Sequence, residues 1–415
     1  MIGIGNASQE AISLEDKYGA HNYHPLPVVL NKGEGVFLWG VDGKRYYDFL
    51  SAYSAVNQGH CHPRIVNALI EQAKQLTLTS RAFYNDKLGV AEKYLCETFG
   101  YDKALFMNSG AEANETAIKL ARKWGYQVKG IPNNEAVIVV AKQNFHGRTT
   151  TIISASSDPS ARDGFGPYMP GFDIIPYDDR LALENALKNP HVCALWIEPI
   201  QGEAGVYIPQ PGYLKAAAEL CARYNVLLMA DEIQTGIART GRMLACDHEN
   251  VRPDLLIIGK ALSGGMLPVS AVLADDEVML VIKPGEHGST FGGNPLAAVV
   301  CVAAMEVVKD ENLAANAARL GVVFRQRVTE LMAKTPLIAT VRGKGLLNAI
   351  VVNDTPESST AWDICVKLMN EGLLAKPTHG NIIRLAPPLV ITEEQLHECC
   401  DIIERVFLDF DLAKK

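Results

Sequence analysis

The chain has no hydrophobic run long enough to cross a bilayer. Its longest uncharged apolar stretch, Leu296–Met305, falls well short of the ~20 residues a spanning helix needs. The first ten residues carry no lysine or arginine and no continuous apolar core, so no secretory or transit leader is visible. The expected compartment is the cytoplasm, a mitochondrial one staying open for a chain whose presequence has been removed. Among nine cysteines there is no Cys-x-x-Cys pair, and adjacent Cys399 and Cys400 are poorly placed for a bridge. Free thiols in a reducing compartment are expected. His60-Cys61-His62 lacks further ligands at metal-type spacing and runs into Pro63, which makes it a turn; no metal is expected. Neither sign of charge dominates: 39 Lys and Arg against 47 Asp and Glu give −8. That balance argues against nucleic acid or an anionic membrane as partner. Repeats and low-complexity tracts are missing too. So is any Gly-x-x-x-x-Gly-Lys-Ser/Thr loop, which argues against a nucleoside triphosphate site. Met1-Ile2-Gly3-Ile4-Gly5 resembles the start of a dinucleotide fingerprint, but no third glycine or βα unit follows it.

What is present is 415 residues, 48% hydrophobic, enough for two or three packed units. Val36–Trp39 and Arg45–Phe49 around Asp42-Gly43 read as a hairpin. Pro63–Leu78 has a helical apolar stripe, and Asn294-Pro295 opens a buried helix to Val308. Short apolar segments then read as strands: Lys103–Met107, Ala136–Val140, Thr150–Ser154, Val192–Ile197, Val226–Ala230 and Leu255–Ile258. Helices at Ala111–Trp124 and Gly212–Tyr224 alternate with them. Apolar strands alternating with helices indicate an α/β fold with a mostly parallel sheet covered on both faces. Beyond Val308 the texture changes to long amphipathic helices and fewer strands, ending in Thr392–Phe410.

In such a sheet, ligands bind beyond the carboxyl ends of the strands. Three segments put polar residues there. At Met107-Asn108-Ser109-Gly110-Ala111 a strand gives way directly to a helix, whose free N–H groups and dipole form a phosphate cup. At Met229-Ala230-Asp231 a strand delivers a carboxylate that could ligate a metal, act as a base or hold a protonated ring nitrogen. At Ile258-Gly259-Lys260 a lysine follows a buried strand, where apolar surroundings would favour the neutral amine of a Schiff-base nucleophile. Phosphate cup, carboxylate and lysine, in this order, describe a pyridoxal phosphate site.

Several further motifs carry a resemblance that extends from about Lys17 to the last helix. They are His21-Asn22-Tyr23-His24-Pro25, Tyr53-Ser54-Ala55-Val56-Asn57-Gln58-Gly59-His60, Asn144-Phe145-His146-Gly147-Arg148-Thr149, Glu198-Pro199-Ile200-Gln201-Gly202-Glu203, Gly288-Ser289-Thr290-Phe291-Gly292-Gly293-Asn294-Pro295 and Ile383-Arg384-Leu385-Ala386-Pro387-Pro388. The chain resembles class III, fold-type I pyridoxal phosphate aminotransferases, and among them those acting on L-ornithine. The resemblance implies a large domain at 55–292 with a seven-stranded type of sheet, a smaller α+β domain at 293–415, and an N-terminal segment, 1–54, packing on the small domain and active site. Lys260 would hold the cofactor and move the proton, Asp231 would pair with the ring nitrogen, and Gln234 would hydrogen-bond the phenolic oxygen. Phe145 would stack on the ring, and Ser109, Gly110 and Ala111 would hold the phosphate. Ser289 and Thr290 would arrive from the neighbouring subunit of a homodimer with shared sites.

The resemblance also implies substrate roles. Tyr23 would bond the α-carboxylate of L-ornithine, and Tyr53 would close the pocket around its chain. Arg148 would take the distal carboxylate of 2-oxoglutarate or L-glutamate, and Arg384 the α-carboxylate. Glu203 would pair with Arg384 in one half-reaction and release it in the other. The expected products are L-glutamate 5-semialdehyde and L-glutamate. The alternatives are a broader ω-aminotransferase using N-acetylornithine, γ-aminobutyrate or lysine, and an aminomutase on the same fold. His146 departs from the aromatic commonly found beside the stacking phenylalanine.

Overall fold

The computed structural model describes residues 6–410; the Met1–Gly5 run weighed above lies outside them. After the helix Asn6–Tyr18 come β1 (Leu30–Glu34), β2 (Phe37–Gly40) and β3 (Arg45–Asp48), an antiparallel meander. The turn between β2 and β3 is the expected Asp-Gly turn: Gly43 has φ 81°, and the Lys44 N–H donates to Asp42 Oδ1 at 3.1 Å.

The central sheet holds seven strands: β4 (Lys103–Met107), β5 (Val137–Ala141), β6 (Phe172–Ile175), β7 (Val192–Ile197), β8 (Leu227–Asp231), β9 (Leu255–Ile258) and β10 (Ser270–Ala274). Their order is β4-β10-β9-β8-β7-β5-β6, parallel throughout except for β10, which runs against both neighbours. Every residue of β7 to β10 is buried, because both faces are covered. Successive side chains go to opposite faces. Leu195, Leu228 and Leu256 therefore join one core, while Trp196, Met229 and Ile257 join the other. On the second face the helix Gly110–Trp124 crosses β10, β9 and β7.

The remaining strands are β11 (Ile338–Lys344), β12 (Leu347–Val352), β13 (Leu373–Leu374), β14 (Lys376–Thr378) and β15 (Ile382–Leu385). Four of them form an antiparallel sheet in the order β11-β12-β15-β14, while β13 lies parallel to β3 and pairs Leu373 with Tyr47. The two ends of the chain thus share a sheet, which supports our proposed grouping of 1–54 with 293–415 around 55–292.

One expected strand is a helix. Thr150–Ser154 forms a short α-helix because Thr149 Oγ1 accepts the Ile152 N–H as an N-cap, with Ile152 and Ile153 buried beneath it. Its β-branched run has the composition of a strand, and the cap overrides that preference. The Pro63 helix stops at Ala73, five residues short of the expected end. β6 and β10 were not evident from composition.

The sheets meet at Arg239, which is fully buried. Its Nη1 donates to the carbonyls of Leu346 and Pro387 at 3.0 and 2.7 Å, and its Nε and Nη2 donate to Asn57 Oδ1. Burial lowers its pKa to about 9, opposed by the charge of Asp48. Arg239→Ala leaves three buried acceptors without these donors. At roughly 1–3 kcal/mol for each buried group left unsatisfied, the expected loss of stability is about 3 kcal/mol. Denaturant unfolding measures it, and a loss below about 1 kcal/mol would show that Arg239 does not tie these segments together.

Candidate active site

The three segments singled out in the sequence converge at one end of the central sheet. Gly110, Ala111, Phe145, Glu203, Asp231, Gln234 and Lys260 line one cavity. Ser109 is the N-cap of the helix Gly110–Trp124, in a capping box with Glu112. The first turn of a helix leaves N–H groups without intrahelical acceptors, so Gly110 and Ala111 present theirs at the cavity wall. A Cβ on Gly110 would lie 2.9 Å from Ile233 Cδ1, so a side chain here would have to displace the Ile233 methyl.

Asp231, the last residue of β8, is buried. Its Oδ2 accepts from Asn114 Nδ2 at 2.9 Å and bonds His146 Nδ1 at 2.6 Å, and its Oδ1 accepts the Ile233 N–H. His146 stacks on Trp196 with centroids 3.9 Å apart, and Trp196 Nε1 donates to Asn114 Oδ1 at 3.1 Å. The departure at His146 therefore places a ring nitrogen on the carboxylate. Asn114, His146 and Trp196 were missed as site residues, because they approach Asp231 from three separate segments.

Lys260 follows β9 in the left-handed region, φ 45°, which turns its side chain off the strand and into the cavity. Burial lowers its pKa to about 8, with Arg384 acting the same way and Glu203, Asp231 and Glu198 opposing. Glu198 is a second acid that sequence reasoning passed over. It lines the cavity and accepts the Phe145 N–H at 3.0 Å, and burial, then the charge of Asp231, pushes its carboxyl well up.

On the substrate side, Arg384 Nη1 donates to Glu203 Oε2 at 2.5 Å and Nη2 to Oε1 at 3.4 Å, a two-pronged ion pair. The arginine side chain is 6% exposed and the glutamate 28%. The Tyr53 ring faces the guanidinium, with Cζ 5.0 Å from its centroid. Tyr53 lies in Ser51–Ser54, four consecutive non-glycine residues with φ between 46° and 73°. Left-handed backbone costs roughly 1–2 kcal/mol per residue, so this turn is strained. Arg148 sits over Phe145 at 5.5 Å in an adjoining cavity that also reaches Glu203. Tyr23 is 72% exposed but close enough to act on the Tyr53 phenol, which burial first of all raises.

Ser289 and Thr290 do not line the cavity of this chain. Ser289 Oγ accepts from Asn108 Nδ2 at 2.8 Å, next to the phosphate turn, and Thr290 is exposed.

These residues fit a pyridine aldehyde phosphate. Gln234 Oε1 and His146 Nε2 are buried at the cavity without a protein partner, and a Cβ on Gly202 would lie 1.7 Å from Gln234 Oε1. Polar capacity is held open beside a lysine, a carboxylate and a helix N-terminus.

The comparisons with known proteins agree. The chain belongs to the class-III aminotransferase family, whose profile matches residues 18–407. Pyridoxal phosphate is the cofactor of this family. The chain is 61% identical over 404 residues to the mitochondrial ornithine aminotransferase of Drosophila melanogaster, covering 97% of this chain and 93% of that protein. Against the mitochondrial ornithine aminotransferase of Rattus norvegicus the identity is 58%, over 97% and 91%. Among solved structures, the ornithine aminotransferase of Toxoplasma gondii ME49 superposes with TM-score 0.94 at 50% identity, covering 97% of this chain and 95% of that one. The acetylornithine aminotransferase of Elizabethkingia anophelis superposes with TM-score 0.90 at 61% identity, over 97% and 99%. Two relatives of equal identity thus carry different donor names, and only the pocket can separate them.

The lowered pKa of Lys260 gives a pH prediction. Carbonyl addition needs the neutral amine, whose fraction rises with pH through about 8. Cofactor capture by the apoenzyme, followed by absorbance, is expected to accelerate between pH 7 and 9 and then level off. A rate independent of pH across that window would contradict the depressed lysine.

Proposed function

We propose that this enzyme transfers the δ-amino group of L-ornithine to 2-oxoglutarate, giving L-glutamate 5-semialdehyde, which cyclises to pyrroline-5-carboxylate, and L-glutamate. The observation that carries this reading is the Glu203–Arg384 pair beneath the Tyr53 ring. When bound, pyridoxal phosphate supplies an exchangeable aldehyde carbon and an electron sink. Asp231, fixed by His146 and Asn114, would keep a proton on the ring nitrogen. Gly110 and Ala111 would hold its phosphate, Phe145 would cover one ring face and Gln234 would bond the phenolic oxygen. Lys260 Nζ takes the proton from the amine-bearing substrate carbon and delivers it across the site.

Both substrates must use this one cavity in opposite senses. L-Ornithine enters δ-amine first, with its α-carboxylate outward at Tyr23 and its methylenes beside Tyr53. Arg384 then has no substrate carboxylate to bind, and Glu203 neutralises it. 2-Oxoglutarate enters with its α-carboxylate on Arg384, displacing Glu203, and its distal carboxylate on Arg148. Two-pronged arginine–carboxylate geometry serves either partner equally, which makes the exchange feasible. We place Ser289 and Thr290 at the phosphate of the partner subunit in a homodimer, a role that their position outside this chain's own cavity allows. The nine free thiols support a reducing compartment, which we take as the cytoplasm.

The test is a single half-reaction on the holoenzyme without keto acid, followed by cofactor absorbance. L-Ornithine is expected to convert it rapidly, with N-acetyl-L-ornithine and γ-aminobutyrate far slower. In Tyr53→Ile the preference for L-ornithine over γ-aminobutyrate should fall roughly tenfold or more. Comparable wild-type rates with N-acetyl-L-ornithine or γ-aminobutyrate would overturn the donor assignment and leave the aminotransferase.

A further inference from the structure

The strained turn that carries Tyr53 is held by a buried residue with no part in the reaction. Asp48 Oδ1 accepts the N–H groups of Leu50 and Ser51 at 2.8 and 2.9 Å, and its Oδ2 bonds His60 Nε2 at 2.7 Å. The chain then passes through Ser51, Ala52, Tyr53 and Ser54, all left-handed, before Ala55 N–H closes back on Ser51 O. L-residues visit this region singly, seldom in a row, and no glycine relieves the stretch. The same turn is fastened to the strand that carries Arg384. Ser51 Oγ donates to the Ala386 carbonyl at 2.6 Å, and the Ala386 N–H donates to Phe49 O at 2.8 Å. Ala386 lies two residues beyond Arg384, so the two groups that meet in the pocket are locked in register outside it. A turn needed only to reverse the chain would carry glycine. A strained turn of bulkier residues, clamped on both sides, fixes the direction of one side chain.

We infer that Asp48 is a positioning residue for donor selectivity: by capping the Ser51–Ser54 turn it holds the Tyr53 ring against Arg384. This rests on the donor reading above, in which Tyr53 closes the pocket around the L-ornithine chain. Without the cap the turn relaxes toward right-handed backbone, and the ring swings away from the guanidinium. On donor choice, Asp48 thus acts through Tyr53.

The experiment is a double-mutant cycle on the holoenzyme, reading the ratio of kcat/KM for L-ornithine to that for γ-aminobutyrate. In Asp48→Ala the ratio should fall roughly tenfold, toward that of Tyr53→Ile, and the double variant should be no lower than Tyr53→Ile. Asp48→Asn keeps the Oδ1 acceptor and should stay within about threefold of wild type. Ala52→Gly leaves every side-chain bond in place. It should keep or raise Tm, leave the ratio within about twofold, and restore part of the ratio lost in Asp48→Ala, because glycine adopts unaided the left-handed backbone that the cap otherwise has to hold. If Asp48→Ala does not fold, the near-isosteric Asp48→Leu, which also lacks the acceptor, carries the test, and an unchanged ratio there overturns the inference. Additive losses in the double variant, or equal losses with both donors, would overturn it too, by assigning Asp48 to stability alone. A wild-type enzyme without preference for L-ornithine would instead overturn the donor reading, and this inference with it.

Discussion

A guanidinium buried at the back of a cavity must have a counter-charge at every stage of a reaction that changes its neighbours. The Glu203–Arg384 pair meets that demand, and much of the architecture serves it. Arg384 comes from β15 of the small antiparallel sheet, while Glu203 comes from the loop beyond β7 of the central one. The glutamate loop is stiffened by a bridge between Gln201 and Tyr207, by Arg342 on the Gly205 carbonyl, and by Thr378 on the Glu203 carbonyl. Behind Arg384, the Pro387 carbonyl is held by Arg239. The pair is therefore a side-chain contact between two rigid supports. It can open without moving either.

The cofactor side follows a different logic. There no ion pair needs to exchange partners. Asp231 is held by Asn114, His146 and a backbone N–H, which fix its orientation while Oδ1 keeps acceptor capacity for the ring nitrogen we propose it pairs with. Stacking of His146 on Trp196 and the Trp196–Asn114 bond close that network on itself. Lys260 is the one group on this side that must change charge, and burial has moved its pKa toward the working range.

The cofactor half of the site was legible in the sequence because it is local. A phosphate cup, a strand-end carboxylate and a strand-end lysine are each written within a few residues, and strand ends place them together. Tyr53, Arg148, Glu203 and Arg384 were legible only through family resemblance, since no spacing rule brings residues 53, 203 and 384 to one point. The buried companions were illegible for the same reason. Asn114 reads as a helix residue, Trp196 as core and Glu198 as a loop acid, until the fold sets the first two around Asp231 and the third behind Phe145. Thr150–Ser154 shows the opposite failure: a β-branched run reads as a strand, and one threonine cap makes it a helix. The reversal of β10 was also hidden, because a buried strand looks the same in either direction.

The most direct test of this view is Glu203→Gln, which removes the charge and keeps the shape. L-Ornithine and L-glutamate would each be given to the holoenzyme in a single half-reaction. Without its carboxylate competitor, Arg384 should accept the α-carboxylate of L-glutamate more readily and be left uncompensated with L-ornithine. The rate ratio of L-ornithine to L-glutamate should then fall by roughly tenfold or more. An unchanged ratio would mean that Glu203 is a bystander, and that another group compensates Arg384.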